Sequence, residues 1–491
     1  MKSMRWYDYL NVNLFWLGLN IRNNAIGIIF MPYLVDAFVR PEIKNTALGE
    51  MRTAGLVIAM LVQPAMGLLS DRSTSRFGRR RPFIFVGVLL DLIFLALVAA
   101  AQNYWMLLVA VLLTQFSANI SHGALQGLIP DLVPEDKRGL ASGVKSIFEL
   151  IPLVLMGFTV AKWVGEGRFI LAVVATGAGL LLTMLLTMAL VKEQPLRERP
   201  TEPLGPPMVR VMGILAGILV GAAAGLVGGG LVGGLAGLIA WAVSGVRTAW
   251  MVGVAVGGVV AMAVAVVAGV WAGAGGALGR GARNQSPFVW WVVNRLFFFA
   301  AITSIQSFVP YFLMYSFNVS RETAVSMTGS LVSVVGVFTL FTALPSGWLS
   351  DRFGHRRLVA WSGVLAAAGA FLLLGCIWAP NLAMIYVAGT VLGLSAGLFT
   401  TTNWALGTQL VPAEEAGRYL GISNLAGAGA GMIGTGIGGP VADFLNGYLP
   451  GLGYFVLFAG YGLLFLFSTA SLAWVKMETR PSTVAVAPAG N

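Results

Sequence analysis

Four long polar side chains repeat along one apolar stretch of the chain. They lie at positions i, i+4, i+7 and i+11 and are Gln115, Asn119, His122 and Gln126. This spacing places them on one face of an α-helix. Because uncompensated polar groups are costly in hydrocarbon, that face must meet other protein or a watery cavity. Four donors and acceptors in a row suit a neutral polyol, although hydrogen bonds between helices would also explain them.

Other apolar stretches carry fewer polar residues of this kind. In the first stretch Asn20 and Asn24 share a helix face. In the second half of the chain the candidates are Asn294, Gln306, Asn403 and Trp404. The Trp404 ring can stack on the apolar face of a sugar, whereas packing or contact with lipid is the alternative. We predict that these residues and the stripe of four contact a substrate.

Charged residues inside apolar stretches need partners. Arg22 points away from the asparagine face, and its candidate partners by depth are Glu149 and Asp91. We expect Arg22 and Glu149 to be the charged pair, with Lys145 one helical turn before Glu149. Arg295 is the charge of the second half. Such groups either lock helices together or take part in coupling to an ion, and the pattern leaves both readings open.

The residues of enzyme chemistry are scarce. The chain contains two histidines, His122 and His355, and one cysteine, Cys376. Catalytic triads, histidine metal sites and an intrachain disulfide are therefore not expected. We predict that the protein is not an enzyme and has no cofactor and no metal. His122 can titrate near neutral pH, although a hydrogen-bonding role is the plainer alternative.

The composition points to a bilayer. Of 491 residues, 57% are hydrophobic and 10% are charged, whereas soluble domains carry about 25% charged residues. A membrane helix needs about 20 apolar residues, and fourteen such runs can be read in the sequence. They lie near 11–37, 47–70, 82–101, 104–132, 139–162, 168–191, 210–244, 248–278, 288–317, 322–349, 357–378, 382–411, 417–446 and 451–475. The fold class predicted is an all-α polytopic membrane protein.

The basic residues orient the chain. When the sides of the fourteen spans alternate, most of the 31 Lys and Arg residues fall on the side of the amino terminus. The positive-inside rule assigns that side to the cytoplasm, so the net charge of +11 does not call for nucleic acid. No cleavable signal peptide is evident. We expect a multi-pass protein of the plasma membrane with both termini cytoplasmic.

The sequence contains an internal repeat. GLLSDRSTSRFGRRR at 67–81 returns as GWLSDRFGHRR at 347–357, and LVPEDKRG at 132–139 returns as LVPAEEAG at 410–417. Two parallel halves of six spans explain the common offset. The predicted organisation is an N-terminal six-helix domain (1–195), a cytoplasmic linker with an inserted hairpin (196–284), a C-terminal six-helix domain (285–478) and a disordered tail (479–491).

The insert has an unusual glycine pattern. Glycine stands at every fourth position from Gly213 to Gly237, and small residues repeat at the same spacing from Gly253 to Ala277. Such faces allow two helices to approach closely. We predict a self-packing hairpin of 210–244 and 248–278, with the over-long first helix tilted, protruding or broken at Gly228-Gly229-Gly230. The ladder offers no donor or charge for a solute.

The repeated loop motif carries a family resemblance. Its glycines permit a close approach of helix ends, its aspartates can pair with cations, and its arginines suit the phosphate level of the membrane. These residues are Gly67, Asp71, Arg72, Gly78, Arg79 and Arg80 in the first copy, and Gly347, Asp351, Arg352, Gly354, Arg356 and Arg357 in the second. The pattern resembles the signature of the major facilitator superfamily. Over about 62–88 it resembles the sucrose/proton symporter branch of the glycoside-pentoside-hexuronide transporters.

The resemblance implies twelve core helices that work by alternating access around a cavity lined by core spans 1, 4, 7 and 10. It also exposes departures. The acidic residue that sucrose symporters use in the fourth span falls at Gln115, and their arginine falls at Gln126. The carboxylates of the sodium-coupled melibiose-type relatives fall at Ala59 and Gln63. Coupling has moved to Glu149, Asp91 or His122, or the protein is a uniporter, or the substrate differs.

The leading hypothesis is therefore a secondary transporter of a small polar solute, a sugar or glycoside, with proton coupling as an open possibility. The expected partners are this small molecule, the lipid bilayer and protons, and no nucleic acid. A monomer is expected, with self-association through the hairpin as an alternative. An exporter of amphipathic compounds and a non-transporting membrane assembly factor on the same fold are the competing functions.

Overall fold

A computed structural model describes residues 5–193, 195–196, 205–279, 285–411 and 416–475 of the chain. The predicted tail, 479–491, lies outside them. We number the long helices α1 to α14 in chain order. They are α1 (Trp6–Phe38), α2 (Pro41–Asp71), α3 (Arg81–Ala99), α4 (Tyr104–Leu132), α5 (Arg138–Gly165), α6 (Phe169–Leu190), α7 (Gly205–Ser244), α8 (Val246–Leu278), α9 (Ser286–Phe317), α10 (Arg321–Phe353), α11 (His355–Leu374), α12 (Leu382–Leu410), α13 (Ala416–Tyr448) and α14 (Leu452–Trp474).

The predicted all-α membrane fold is confirmed. Within the described residues, thirteen of the helices are long and apolar enough to cross a membrane. The remaining helix, α13, is also long, with 33 residues. Several helices are interrupted without ending. In α1, a π-helical turn covers Ala25–Phe30, and α4 makes a tight turn before its last segment, Leu128–Leu132. Both interruptions lie on helices that carry predicted site residues.

The two halves repeat the same helix packing. In the first half α1 packs on α5 and α6, while α4 packs on α2 and α3. In the second half α9 packs on α13 and α14, while α12 packs on α10 and α11. The third helix of each half also meets the sixth. The repeat read from the loop motifs is therefore a repeat of architecture, although the domain boundaries remain predictions.

The halves meet along two seams, α2 against α13 and α5 against α10. We call the end of the bundle that carries loop 72–80 and the turn at Gly354 the basic side. The hydrogen bonds between described residues of the two halves lie beyond the middle of the helices, away from the basic side. Tyr311 Oη donates to the Pro32 carbonyl over 3.0 Å, and Ser333 Oγ donates to the Val154 carbonyl over 2.7 Å. The structure is therefore closed on the side opposite the basic side.

A carboxylate strengthens this closure. Asp443, near the end of α13, accepts hydrogen bonds from the Asn45 side chain over 2.6 Å and from the Thr46 backbone amide and hydroxyl over 2.7 Å each. These amides belong to the first turn of the long α-helix of α2, Lys44–Asp71. A helix N-terminus favours a negative charge. The α2 and α13 seam thus ends in an electrostatic cap between the two halves.

The inserted helices form the predicted hairpin. Helix α7 runs unbroken for 40 residues, so the break at Gly228-Gly229-Gly230 is not found. The chain reverses at Gly245, which has the positive φ of 84° that glycine tolerates. Every rung of the ladder meets a small residue of α8, from Gly213 against Gly276 to Gly237 against Gly253. The two backbones approach so closely because no side chain stands between them.

The hairpin also packs on the core. Helix α8 lies against α13, α9 and α14, and α7 reaches both α13 and α2. Its buried side chains include Met262, Val266 and Val270. The opposite face of α7 is exposed, with Leu226, Leu235 and other large apolar residues. The hairpin therefore packs on itself and on the seam between the two halves, with its outer face left to lipid.

Candidate functional site

One narrow face of helix α9 is partly exposed, while the rest of the helix is buried. Between Trp291 and Leu313 this helix is buried except at four positions, which are Arg295, Phe299, Thr303 and Gln306. Their spacing of i, i+4, i+8 and i+11 is one helix face. The sequence pointed to Arg295 and Gln306 but missed Phe299 and Thr303. The same spacing rule, counted from Arg295, would have found both.

The four residues of the polar stripe of α4 differ in exposure. Gln115 and His122 are half-buried, Gln126 is exposed and Asn119 is buried. The Asn119 amide donates to the Gln115 carbonyl over 2.7 Å. The His122 ring meets Trp16 of α1 edge-on at 5.3 Å between centroids, and its Nε2 lies 3.5 Å from the Gln126 amide nitrogen. The stripe thus keeps polar atoms at the inner surface of the first half.

Helix α1 contributes two amides next to this stripe. Asn20 and Asn24 are both half-buried. Asn20 donates one hydrogen bond to the Trp16 carbonyl over 2.9 Å, which leaves its side-chain oxygen available. These two residues lie just before the π-helical turn of α1, a feature that often accompanies functional sites. Their assignment as substrate contacts stays a prediction.

Asn294 and Asn403 lie inside the protein rather than on the stripe. Asn403 Nδ2 donates to Asn294 Oδ1 over 2.7 Å, and Asn294 Nδ2 donates to the Ser468 carbonyl over 2.7 Å. Trp291 Nε1 donates to the Asn403 carbonyl over 2.9 Å. Both asparagines are fully buried. They connect α9, α12 and α14, and their predicted contact with substrate is untested.

This network holds Arg295. Its Nη1 donates to Asn403 Oδ1 over 3.4 Å. Three rings surround the guanidinium, with Phe299 at 4.9 Å, Trp404 at 5.2 Å and Trp291 at 6.0 Å from its carbon to the ring centroids. These distances fall in the range of cation–π attraction. Trp404 therefore packs beside the charge of Arg295 and stays partly exposed.

Arg22 pairs with Asp91, the second of its two candidate partners. Arg22 Nε lies 2.8 Å from Asp91 Oδ2, and both side chains are almost completely buried. The Thr114 carbonyl accepts from Arg22 over 2.5 Å, and Ser117 Oγ donates to Asp91 over 2.9 Å. The expected pair of Arg22 with Glu149 is therefore wrong. Depth along the helices could not separate the two acids, because the rotation of α3 and α5 decides which one faces α1.

Glu149 pairs with Lys145 instead. The Lys145 nitrogen lies 3.4 Å from Glu149 Oε1, and about one third of each side chain is exposed, 30% and 34%. Lys145 also lies over the Trp16 ring at 4.1 Å. Glu149 is thus the accessible carboxylate among the three predicted coupling candidates, since Asp91 is sealed in its ion pair.

The first loop motif forms a dense ionic network. Arg80 Nε lies 2.8 Å from Asp131 Oδ2, its Nη2 pairs with Asp71, and its Nη1 donates to Ser70 Oγ over 2.6 Å. Arg79 pairs with Asp131 as well. Burial lowers the pKa of the Arg80 guanidinium, but the two carboxylates outweigh burial, so its pKa is raised and it stays charged. The network joins the ends of α2, α3 and α4.

A third carboxylate, Glu193, contacts the backbone at the end of this network. Glu193 Oε2 accepts from the backbone amides of Arg80 over 3.0 Å and Arg81 over 3.1 Å. Burial raises the pKa of Glu193, and these hydrogen bonds oppose the rise only in part. Gly78, with a φ of 102°, passes directly over this carboxylate. Gly67 allows a similar approach to Gly123 of α4, as the motif predicted.

The second copy of the motif is much looser. Arg352 lies near the rings of Trp348 and Phe353, at 5.8 Å and 5.6 Å. Space is open beside Gly347 and Gly354, and Asp351 is exposed. Among the described residues no ion pair involves Arg356 or Arg357. In the alignment of the repeats, Gln409 stands where the first copy has Asp131.

No described group of three or more His, Cys, Asp and Glu residues could hold a metal ion. Among the predicted substrate contacts taken together with Arg295, the partly exposed ones are amides, one histidine, one arginine and one tryptophan. They lie on α1, α4, α9 and α12, between two halves that are joined on one side. Such a geometry is that of a secondary transporter built from two helical halves.

The chain belongs to the Major Facilitator Superfamily, whose sequence profile matches residues 15–301 and 291–491. Multidrug resistance protein MdtG of Enterobacter lignolyticus is 29% identical over 185 residues, 37% of this chain and 41% of that protein. The human (Homo sapiens) proton-associated sugar transporter A is 31% identical over 202 residues, 35% of this chain and 27% of that protein. The chain thus spans less than half the length of these relatives.

Solved structures share the fold. The nucleoside transporter NupG, as a mutant, has a TM-score of 0.65 at 13% identity, over 95% of this chain and 100% of that chain. The D-xylose-proton symporter has a TM-score of 0.61 at 15% identity, over 94% and 97%. At such identities the likeness concerns architecture alone.

Proposed function

We propose that this transporter moves a sugar or glycoside by alternating access between its two halves. The observation that carries the proposal is the presence of a polar stripe in each half, on α4 with α1 in the first and on α9 in the second. Amides dominate the first stripe, and Thr303 and Gln306 continue the polarity on the second. Directional amide groups beside an aromatic ring are the usual surroundings of a carbohydrate. The relation to the sucrose/proton symporter branch is part of this proposal.

The orientation follows from charge. We assign the basic side to the cytoplasm of a plasma membrane, with both termini there, by the positive-inside rule. The conformation described above is then the inward-open one, since the inter-half hydrogen bonds lie on the other side. Lys145 and Glu149 would be reached from the cytoplasm in this state. Limited proteolysis of sealed inside-out and right-side-out vesicles tests the orientation through cleavage in loop 72–80.

Uptake into proteoliposomes tests the substrate class. Labelled sucrose, maltose and methyl glucoside should enter in a saturable way, and an inward proton gradient should increase accumulation if transport is coupled. Empty liposomes and a twofold excess of unlabelled sugar serve as controls. Saturable uptake of none of these sugars would rule out the sugar assignment and leave the family membership untouched.

Glu149 is the proposed proton carrier. Asp91 is fully occupied by Arg22, whereas Glu149 is one third exposed and shares only a 3.4 Å contact with Lys145. Glu149→Gln keeps the shape but cannot release a proton, so we expect gradient-driven accumulation to fall to equilibrium while downhill exchange persists. Glu135→Gln, at an exposed surface position, is the matched control. Unchanged accumulation in Glu149→Gln would return this residue to a structural role.

Export of amphipathic compounds is the second candidate. The relatives named for multidrug resistance favour it, as do the rings of Phe299 and Trp404 beside Arg295. Gradient-driven movement of an amphipathic dye such as rhodamine 6G in the same vesicles, without any movement of sugars, would favour this reading over the first.

A further inference from the structure

Arg295 is a cation without a carboxylate in the part of the chain that the structure describes. It lies about three helical turns from the basic end of α9, on the open stripe. Its Nε is buried without a hydrogen-bond partner, and its one recorded hydrogen bond, to Asn403, is long at 3.4 Å. An uncompensated arginine at this depth is costly. A protein that keeps one there needs an anion for part of its cycle.

The surroundings keep the guanidinium in place and leave its donors free. Trp404 and Phe299 attract the positive charge through their ring faces, which uses none of its five N–H groups. Asn403 cannot rotate away, because its amide nitrogen is bound to Asn294, which is bound in turn to Ser468. The arginine is therefore positioned in advance, with its hydrogen-bonding capacity largely unused.

The other charged residues of the helices described above do not neutralise the charge of Arg295. Lys145 and Glu149, at a similar depth on α5 of the facing half, pair with each other. Arg22 and Asp91 form a closed pair. Arg52 of α2, further from the basic side, donates to the Gly27 carbonyl and adds a second positive charge without an acid among the described residues. Arg295 and Arg52 therefore both lack a carboxylate partner among the described residues.

We propose that Arg295 is a subsite for the anionic group of the solute, a carboxylate carried on a sugar or glycoside. The guanidinium binds such a group through two parallel N–H donors, and Trp404 lies beside it to cover the apolar face of the sugar ring. This inference rests on the proposed sugar transport for the rest of the ligand. It changes the substrate class from neutral glycosides to acidic ones.

Two probes that differ in one group test the proposal. Proteoliposomes are assayed with p-nitrophenyl glucuronide and p-nitrophenyl glucoside, which have a carboxylate and a hydroxymethyl group at the same carbon. Wild-type protein should have a KM for the glucuronide about tenfold or more below that for the glucoside. Arg295→Gln should remove this difference by raising the glucuronide KM alone. Arg295→Lys should restore part of it, and the exposed Arg168→Gln should change nothing.

Each remaining outcome decides the question. A wild-type preference for the glucoside, or equal loss of both probes in a folded Arg295→Gln protein, overturns the anion subsite and preserves sugar transport. If neither glycoside moves, the proposed function fails, and binding without transport decides the subsite. In that case p-nitrobenzoate should raise the melting temperature of wild-type protein, raise that of Arg295→Lys less and leave that of Arg295→Gln unchanged, while p-nitrobenzyl alcohol raises none of the three. The absence of this carboxylate-specific shift overturns the inference.

Discussion

Charged side chains in this bundle occupy three kinds of surroundings. Arg22 and Asp91 neutralise each other in a dry contact between α1, α3 and α4. Lys145 and Glu149 form a looser pair that solvent reaches. Arg295 has aromatic rings but no described acid. Because desolvation rather than attraction dominates the cost of a buried charge, these three arrangements should respond very differently to substitution.

Asp91→Asn should destabilise the protein strongly. The change leaves Arg22 charged and buried, which costs about 3–5 kcal/mol in known buried pairs. Asp71→Asn is the control, since Asp71 is 45% exposed and Arg80 keeps Asp131. That change should cost about 1 kcal/mol or less. Thermal unfolding of both variants in the same detergent measures the difference, and equal melting temperatures would contradict the account of Arg22.

At the scale of elements, the inserted hairpin obeys a simple packing rule. From Gly217 to Gly237 the ladder glycines of α7 are buried against small residues of α8, whereas Gly230 and Gly234 between them are exposed with open space around them. A period of four drifts around the helix and suits a right-handed crossing. The hairpin contributes no polar group to the site, so its place outside the transport chemistry remains our prediction.

Gly229→Leu and Gly230→Leu should therefore differ sharply. A Cβ at position 229 would lie 2.6 Å from the Cβ of Ala261, which forces the helices apart and costs about 1–3 kcal/mol. A side chain at 230 meets nothing within 4 Å and points outward. Melting temperatures in detergent should fall for the first variant and stay close to wild type for the second. A fall of the same size in both would show that the ladder is not a packing face.

At the scale of the whole molecule, the hydrogen bonds between described residues of the two halves lie toward one end. At the α2–α13 seam Asp443 accepts a hydrogen bond from Asn45, and at the α5–α10 seam Ser333 donates one to the Val154 carbonyl. Alternating access requires that such contacts break together, because each half moves as a packed unit. Breaking the contacts at the α2–α13 seam should therefore also loosen the contacts at the α5–α10 seam.

Asp443→Ala should shift the population toward the state that is open away from the basic side. The change removes four hydrogen-bond acceptor contacts to Asn45 and Thr46. Hydrogen–deuterium exchange should rise both in 44–50 and, at the other seam, in 321–330. Asp36→Ala is the control, since its ion pair with Lys44 lies within one half. Faster exchange confined to 44–50 would mean local fraying instead of movement of the halves.

The sequence by itself determined the membrane class, the repeated halves, the hairpin and the polar face of α4. Hydropathy and periodicity are local properties of the sequence, and a helix in hydrocarbon must turn its polar face toward protein or water. The loop motif could also be recognised from the sequence. At the aligned position on the fourth helix of each half, the first half has Asp131 and the second has Gln409.

The tertiary structure alone decided which groups meet across helices. It gave Arg22 to Asp91 instead of Glu149, turned Asn294 and Asn403 into a buried connection, and opened the α9 stripe at Phe299 and Thr303. Those outcomes depend on the rotation and tilt of each helix against its neighbours. Packing over the whole bundle sets these angles, and spacing along one helix carries no information about them.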